Sequence, residues 1–315
     1  MSNPRPFRFG VQIARSRSVS EWRWAAQRAE ELGFDVFLMP DHFGPQFAIG
    51  PALAMAAAAT STIRIGTLVL QNDLRHPALM VKDFNTLDVL SEGRVELGVG
   101  AGGSFVPEYG WTGIPFDAPG PRVSRLEETV QAIKGLSAET PFSFAGKHYT
   151  FADYDAFPKP LQQPHVPLLI AGGGNRMLRL AAREADIVGL LPSMKPVGGE
   201  FEDENDIAAF AAKAAFVRTE AGERADRLEF NILVQQFQIT DGSAAALEQL
   251  RADATERGNT DAGWFDSPMV FVGTVEQIAA KLVEVRERVG VSYFTVFEPV
   301  MEEFAAVLAH LRATV

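Results

Sequence analysis

Apolar residues in this chain fall into two alternating kinds of run. Short, mostly apolar stretches such as VFLM at residues 36–39 and VELGV at 95–99 read as strands buried on both faces. Between them lie longer segments whose apolar positions recur at helical spacing, such as residues 20–32 and 274–289. Taken in order, the pattern predicts a strand at 7–13, a helix at 20–32 with Ser20 as N-cap and Gly33 as stop, and a strand inside FDVFLMPDHF at 34–43. A short helix at 52–60, a strand at 63–70, a helix at 77–90 and a strand at 95–99 follow. After a Pro/Gly-rich connection comes a helix at 122–136. Residues 137–167 are too long for an ordinary loop, and they hold a hairpin-like piece, FSFAGKHYTF, with a proline-rich exit.

The alternation then resumes with strands at 167–171, 187–191, 229–239 and 293–297. Helices at 175–185, about 206–221, 274–289 and 302–311 accompany them, and an extra helix at 243–257 precedes the segment 270–273. Eight buried strands separated by helices predict an α/β fold, a single (β/α)8 TIM barrel over residues 1–315 with excursions around 137–167 and 240–268. A doubly wound open sheet is the alternative.

Composition narrows the partners more than the fold. A chain of 315 residues with 47% apolar content can bury a large core, whether as one barrel or as two smaller domains. Its 29 basic and 40 acidic residues give a net charge of -11 without a long Lys/Arg run, which argues against nucleic acid or an anionic membrane as a general partner. A local phosphate pocket stays compatible with that balance. The absence of cysteine excludes disulfides, thiolate metal sites, iron–sulfur clusters and thiol nucleophiles. The first ten residues have no apolar signal region, and the alanine-rich run 51–60 is too short to span a bilayer. The expectation is a soluble cytoplasmic protein acting on a small molecule.

The second strand stops on charge. Pro40 cannot donate to a sheet ladder, and Asp41 and His42 follow at once, at the strand end where barrels bind ligands. They read as an acid/base or polarising pair, or else as a turn cap and a rim residue. Five histidines, none in the first strand, leave too few nitrogen ligands for a metal site, so no metal is expected. Glycines at 100, 102 and 103 and the run Gly172, Gly173 and Gly174 follow two other strands. Such loops let the backbone approach a ligand, and free amides at a helix start suit a phosphate. The second run also fits a tight turn with Asn175 as N-cap, and it is not the spaced dinucleotide fingerprint. Two clearings and a charged pair together point to a planar cofactor across the barrel top. His76 reads as a rim or capping residue, Glu108 as a candidate proton donor, and Tyr109 and Trp111 as a ligand cover or simple loop packing.

With these segments in place, the chain resembles the luciferase-like monooxygenase superfamily over nearly its full length. The motifs are PDHF at 40–43, IGTLVL at 65–70, RHPALMVKDFNTLDVLSEGRVELGVGAG at 75–102, GIPFDAPGPRVSRLEETV at 113–130, PLLIAGGG at 167–174 and VGTVEQIAAKL at 272–282. It looks most like the branch that uses the deazaflavin coenzyme F-420, which includes a glucose-6-phosphate dehydrogenase and several reductases. The resemblance implies a barrel, usually dimeric, with the deazaflavin ring at its C-terminal mouth.

On that resemblance, Asp41 and His42 lie beside the ring and the reacting substrate. A non-proline cis peptide between Leu68 and Val69 backs the ring, and Gln71 and Gly102 belong to its surroundings. Gly172, Gly173 and Gly174 lie near the coenzyme's phosphate, with Lys195 near the same tail. Where the sugar-phosphate dehydrogenase has an acidic residue this chain has Gly103, and Pro45 and Gln46 stand where it has a tryptophan, which argues against glucose 6-phosphate. The implied activity is hydride transfer between the coenzyme and a small organic substrate. An FMN-dependent monooxygenase served by a separate reductase is the runner-up, and a non-catalytic flavin-binding barrel is the third reading.

Overall fold

The computed structural model describes residues 5–15, 18–193, 205–243, 245–246, 248–249, 251–252 and 264–314. Strands β1 (Arg8–Gln12), β2 (Val36–Met39), β3 (Arg64–Thr67), β4 (Leu70–Gln71) and β5 (Val95–Gly100) alternate with helices α1 (Val19–Leu32), α2 (Ile49–Ala59) and α3 (Pro77–Leu90). Helices α4 (Pro107–Thr112) and α5 (Pro119–Ser137) lead to an antiparallel hairpin, β6 (Phe142–Ala145) and β7 (Thr150–Tyr154). The second half holds β8 (Leu168–Gly172), α6 (Asn175–Glu184), β9 (Ile187–Leu190), α7 (Ile207–Ala221), β10 (Glu229–Leu233), β11 (Gln236–Ile239) and β12 (Val270–Gly273). Helix α8 (Val275–Val289), β13 (Val291–Phe297) and helix α9 (Met301–Thr314) complete it.

The large sheet runs β3-β2-β1-β13-β10-β9-β8-β5-β4, and β3 also pairs with β5, so the sheet closes on itself. Every pairing in it is parallel. Counting β3 and β4 as one interrupted stave gives the eight-stranded barrel, and the closing pair rules out the open sheet.

Two separate apolar layers hold it. The larger lies between barrel and helices and includes Phe9, Val11, Phe37, Met39, Ile65, Val95, Leu97 and Ile170 together with helix residues such as Trp22, Leu53, Phe84 and Leu126. The smaller fills the barrel's inside with Val36, Leu38, Leu68, Leu169, Ile187 and Tyr293. Alternate residues of β2 thus serve opposite layers, which is why an unbroken apolar run is needed there. Glycine makes the inner packing possible at β3 and β5. A Cβ on Gly66 would stand 2.2 Å from the Glu96 carbonyl oxygen, and one on Gly98 2.1 Å from that of Thr67.

An ionic cluster occupies the amino ends of the staves. Arg8 pairs with Glu96 and Glu229, and Arg64 Nε lies 2.6 Å from Glu96 Oε1. The guanidinium of Arg8 also lies 4.6 Å from the centre of the Tyr293 ring. With that end filled by paired charges, the carboxyl ends form the mouth.

Several expected boundaries shift for local reasons. The N-cap of α1 is Ser18, not Ser20, because Glu21 stands three residues beyond Ser18 and the two complete a reciprocal capping box. The third stave is not continuous over 63–70 but breaks at a cis peptide between Leu68 and Val69. The strand expected at 229–239 divides: β10 stays in the barrel, and β11 leaves it to pair in parallel with β12. Gly174, not Asn175, caps α6, and among the described residues no side chain accepts from its first amides. Helix α4 arises inside the connection expected to be irregular. The expected helix at 243–257 lies partly outside the described residues.

The 137–167 excursion is tied down. Glu128 of α5 accepts the amides of Lys147, His148 and Tyr149 at 2.8 to 2.9 Å, and the His76 ring meets Tyr149 edge-on at 5.3 Å. Among the described residues, no helix is long and apolar enough to cross a membrane.

Candidate active site

Pro40 ends the β2 ladder, and the next two side chains turn into the mouth by different routes. Asp41 is buried, and its carboxylate is fully engaged: Oδ2 accepts the Gln71 amide at 3.0 Å and Arg75 grips both oxygens, Nη2 to Oδ1 at 2.9 Å. A bidentate guanidinium just before α3 fixes the carboxylate's plane as well as its position. Asp41 therefore ties β2 to β4.

The imidazole of His42 faces a different carboxylate. Its Nδ1 lies 3.1 and 3.3 Å from the two oxygens of Glu108, which is fully buried in α4, while the histidine side chain is 32% exposed. Glu108 also accepts the Phe43 amide at 3.0 Å and the side-chain amide of Gln71. Gln71 Nε2 also lies 3.3 Å from Nδ1, but its two protons go to the Asp41 carbonyl and Glu108, so the acceptor-only carboxylate puts the ring proton on Nδ1 and leaves Nε2 to exchange one. Nε2 has no protein hydrogen-bond partner among the described residues.

Gln71, at the end of β4, is the hub. Its Nε2 also donates to the Asp41 carbonyl at 2.6 Å, and its Oε1 accepts from the Gly103 amide at 3.3 Å, with the Tyr109 oxygen 3.4 Å away. Tyr109 donates to Asp73 at 3.2 Å, and Arg125 holds that same carboxylate at 2.8 Å. Burial, with the charge of Asp73 added, pushes the Tyr109 phenol up to about 12, so it acts as a neutral donor.

The loop after β5 is glycine-rich for a reason beyond clearance. Gly102 and Gly103 adopt φ of +75° and +86°, and a Cβ on either would run into the Tyr109 hydroxyl or the Arg122 guanidinium. Arg122 in turn donates to the carbonyls of Ala101 and Gly102. The third stave's cis peptide lies next to this region: Gln12 donates to the Leu68 carbonyl, and a Cβ on Gly100 would stand 2.8 Å from a methyl of Val69.

Across the mouth, Gly173 is wedged against the Pro192 carbonyl, 2.1 Å from where its Cβ would be, whereas no described residue comes within 4 Å of a Cβ on Gly174. Ser193 Oγ donates to the Gly173 carbonyl at 3.2 Å, and the buried Lys213 Nζ reaches Ser193 Oγ at 3.1 Å. Lys195 lies outside the described residues. Among the described residues, no group of three His, Asp or Glu is arranged to hold a metal ion.

The structure thus joins Asp41, His42, Gln71 and Glu108 in one hydrogen-bonded cluster, to which Gly103 rather than Gly102 gives its amide, and sets Gly172, Gly173 and Gly174 on another strand end. Sequence reasoning missed Arg75, Gln12, Arg122 and Lys213. Arg75 sits in the RHP lead-in to a helix, and nothing local marks its partner 34 residues away.

A closed parallel barrel with an acid/base cluster at its carboxyl mouth is the layout of barrel enzymes. More narrowly, the chain belongs to the luciferase-like monooxygenase family, whose sequence model matches residues 5–293. It is 36% identical over 169 residues to an F-420-dependent glucose-6-phosphate dehydrogenase of Kineococcus radiotolerans, covering 51% of this chain and 49% of that protein. It is 32% identical over 192 residues to the FMNH(2)-dependent dimethylsulfone monooxygenase of Pseudomonas putida, covering 56% and 51%. The chain spans about half the length of the curated relatives it matches. The structure of the coenzyme F-420-dependent tetrahydromethanopterin reductase from Methanopyrus kandleri superposes with a TM-score of 0.76 at 18% identity, covering 98% of this chain and all of that one, a likeness of fold.

Proposed function

We propose that this chain is an oxidoreductase dependent on coenzyme F-420, working as one cytoplasmic domain in a homodimer on a small organic substrate. The observation that carries the reading is the His42 imidazole, tied through Nδ1 to buried Glu108 with Nε2 unpartnered, at the mouth of a barrel whose curated relatives include F-420-dependent dehydrogenases. When bound, the deazaflavin supplies a carrier that accepts or gives a hydride as an electron pair.

The chain's own residues fit such a group. The Leu68–Val69 turn against Gly100 offers an apolar backing for a flat ring, with Gln71 and Gly102 at its rim. The α6 amides beside Gly174 have no side-chain acceptor among the described residues and would suit the coenzyme's phosphate, with Gly172 and Gly173, packed against Met177 and the Pro192 carbonyl, leading into that turn. Lys195 belongs to the same proposal.

His42 exchanges the substrate proton at Nε2, and Glu108 holds the Nδ1 proton and stabilises the imidazolium. Asp41, fixed by Arg75, positions Gln71 and through it Glu108. The test is an anaerobic assay of the chain with oxidised coenzyme and a panel of alcohols, read from the coenzyme's visible absorbance. Chain-dependent bleaching without oxygen is expected. The similarity to an FMNH(2)-dependent monooxygenase favours a second reading, with FMN as cofactor and a separate reductase as partner. Product formation requiring FMNH2 and oxygen would replace the first reading by the second.

A further inference from the structure

The cluster around His42 is built from charge, but its outer surface is not. Phe105 meets the His42 ring edge-on with centroids 6.4 Å apart, and Trp111 packs edge-on against Phe105 at 5.4 Å. Both rings stay exposed, Phe105 at 41% and Trp111 at 63%, and Phe43, directly after the histidine, is 51% exposed. Aromatic surface left in contact with water next to an exchangeable imidazole nitrogen offers apolar area to a ligand.

The cations of the same network offer nothing to a phosphate. Arg75 is held by both oxygens of Asp41, Arg125 by Asp73 and Asp117, and Arg122 by the carbonyls of Ala101, Gly102 and Asp117. A phosphate seated on these guanidiniums would have to break one of these pairs, leaving a buried carboxylate or carbonyl without its donor.

We infer that the substrate is an uncharged, ring-bearing alcohol or ketone whose apolar part lies on Phe105 and Trp111 while its oxygen faces His42 Nε2. This rests on the proposed function, and it assigns Phe105 and Trp111 as specificity-determining residues.

The test uses 1-phenylethanol, acetophenone and glucose 6-phosphate with the full chain, by saturation-transfer NMR without coenzyme and by steady-state kinetics with it. Phe105→Ala and Trp111→Ala are compared throughout. Losing one edge-on aromatic partner is worth about tenfold in affinity. The expected result is NMR transfer from the chain to the aromatic ring protons, and a KM for 1-phenylethanol that rises about tenfold in each variant with kcat within about threefold. Glucose 6-phosphate is expected to give neither transfer nor turnover. Turnover of glucose 6-phosphate, or an unchanged KM in both variants, overturns the inference while leaving the coenzyme reading intact. Failure of the wild-type chain to bind the deazaflavin at all overturns the coenzyme reading, and NMR transfer to the aromatic ligands alone still decides on the aromatic surface.

Discussion

Glu108 shows how much a single buried carboxylate is asked to do: it accepts from an imidazole, a backbone amide and a side-chain amide at once. Glu108→Gln keeps the volume but turns one acceptor into a donor facing Gln71 and Nδ1. The proton then has no fixed place on the ring, and kcat should fall on the order of a hundredfold. Coenzyme affinity should change less than about threefold, because Glu108 reaches no further than its own cluster. A kcat within threefold of wild type would remove Glu108 from the proposed chemistry. Lys281, far from that cluster, gives a pH signature instead. Burial lowers its ammonium to about 8, against the raising effect of Asp266 and Glu284, and its Nζ donates to the Phe265 carbonyl at 2.8 Å. A lysine whose folded pKa lies below its unfolded one binds fewer protons in the native state between the two values, so its contribution to stability rises with pH from about 8 toward about 10.4. Relative to Lys281→Met, the wild type should gain up to about 3 kcal/mol over that window in denaturant melts. A difference that stays flat with pH would contradict it. At this scale Asp41 and His42 were legible because charge follows an apolar run without a gap, whereas the Arg75 grip on Asp41 depends on which loops the barrel brings side by side.

At the scale of elements, apolar periodicity carried the strands and most helices, and it failed where a side chain or a departure from the barrel decides a boundary. Two serines precede the same apolar run in α1, and only Ser18 has a glutamate three residues on. Ser18→Ala should therefore cost about 1 kcal/mol of stability and Ser20→Ala less than about 0.5 kcal/mol, measured by thermal or urea melts. The reverse order would restore Ser20 as the cap. The residues 229–239 contain no proline or glycine to announce that the strand divides after Leu233, so composition alone reads one strand. What separates β11 from β10 is its partner: β12 comes from residues 270–273, a pairing no local pattern reveals. Helix α4 was hidden similarly, since Pro107, Gly110 and Gly113 mark a loop on propensity, although Pro at the first helical position and Gly after the last are ordinary helix ends.

For the whole molecule, closure depends on two backbones meeting where no side chain fits. Gly98→Ala would drive a Cβ into the Thr67 carbonyl, part of the β3–β5 contact that shuts the barrel, and should cost about 3 kcal/mol. Gly50→Ala in α2, with nothing within 4 Å, should stabilise by about 0.5 kcal/mol. Equal melting temperatures for the two variants would contradict the packing described for the closing strands. The barrel itself was legible from eight spaced apolar runs, but its ionic amino end was not: Arg8, Arg64, Glu96 and Glu229 come from four distant strands and meet only after closure. The central claim is that this mouth takes a deazaflavin. Parallel calorimetric titrations of the full chain with coenzyme F-420 and with FMN test it most directly. The account predicts a Kd for the deazaflavin on the order of micromolar or tighter and FMN at least about tenfold weaker. Tighter binding of FMN, or no binding of either, would contradict it.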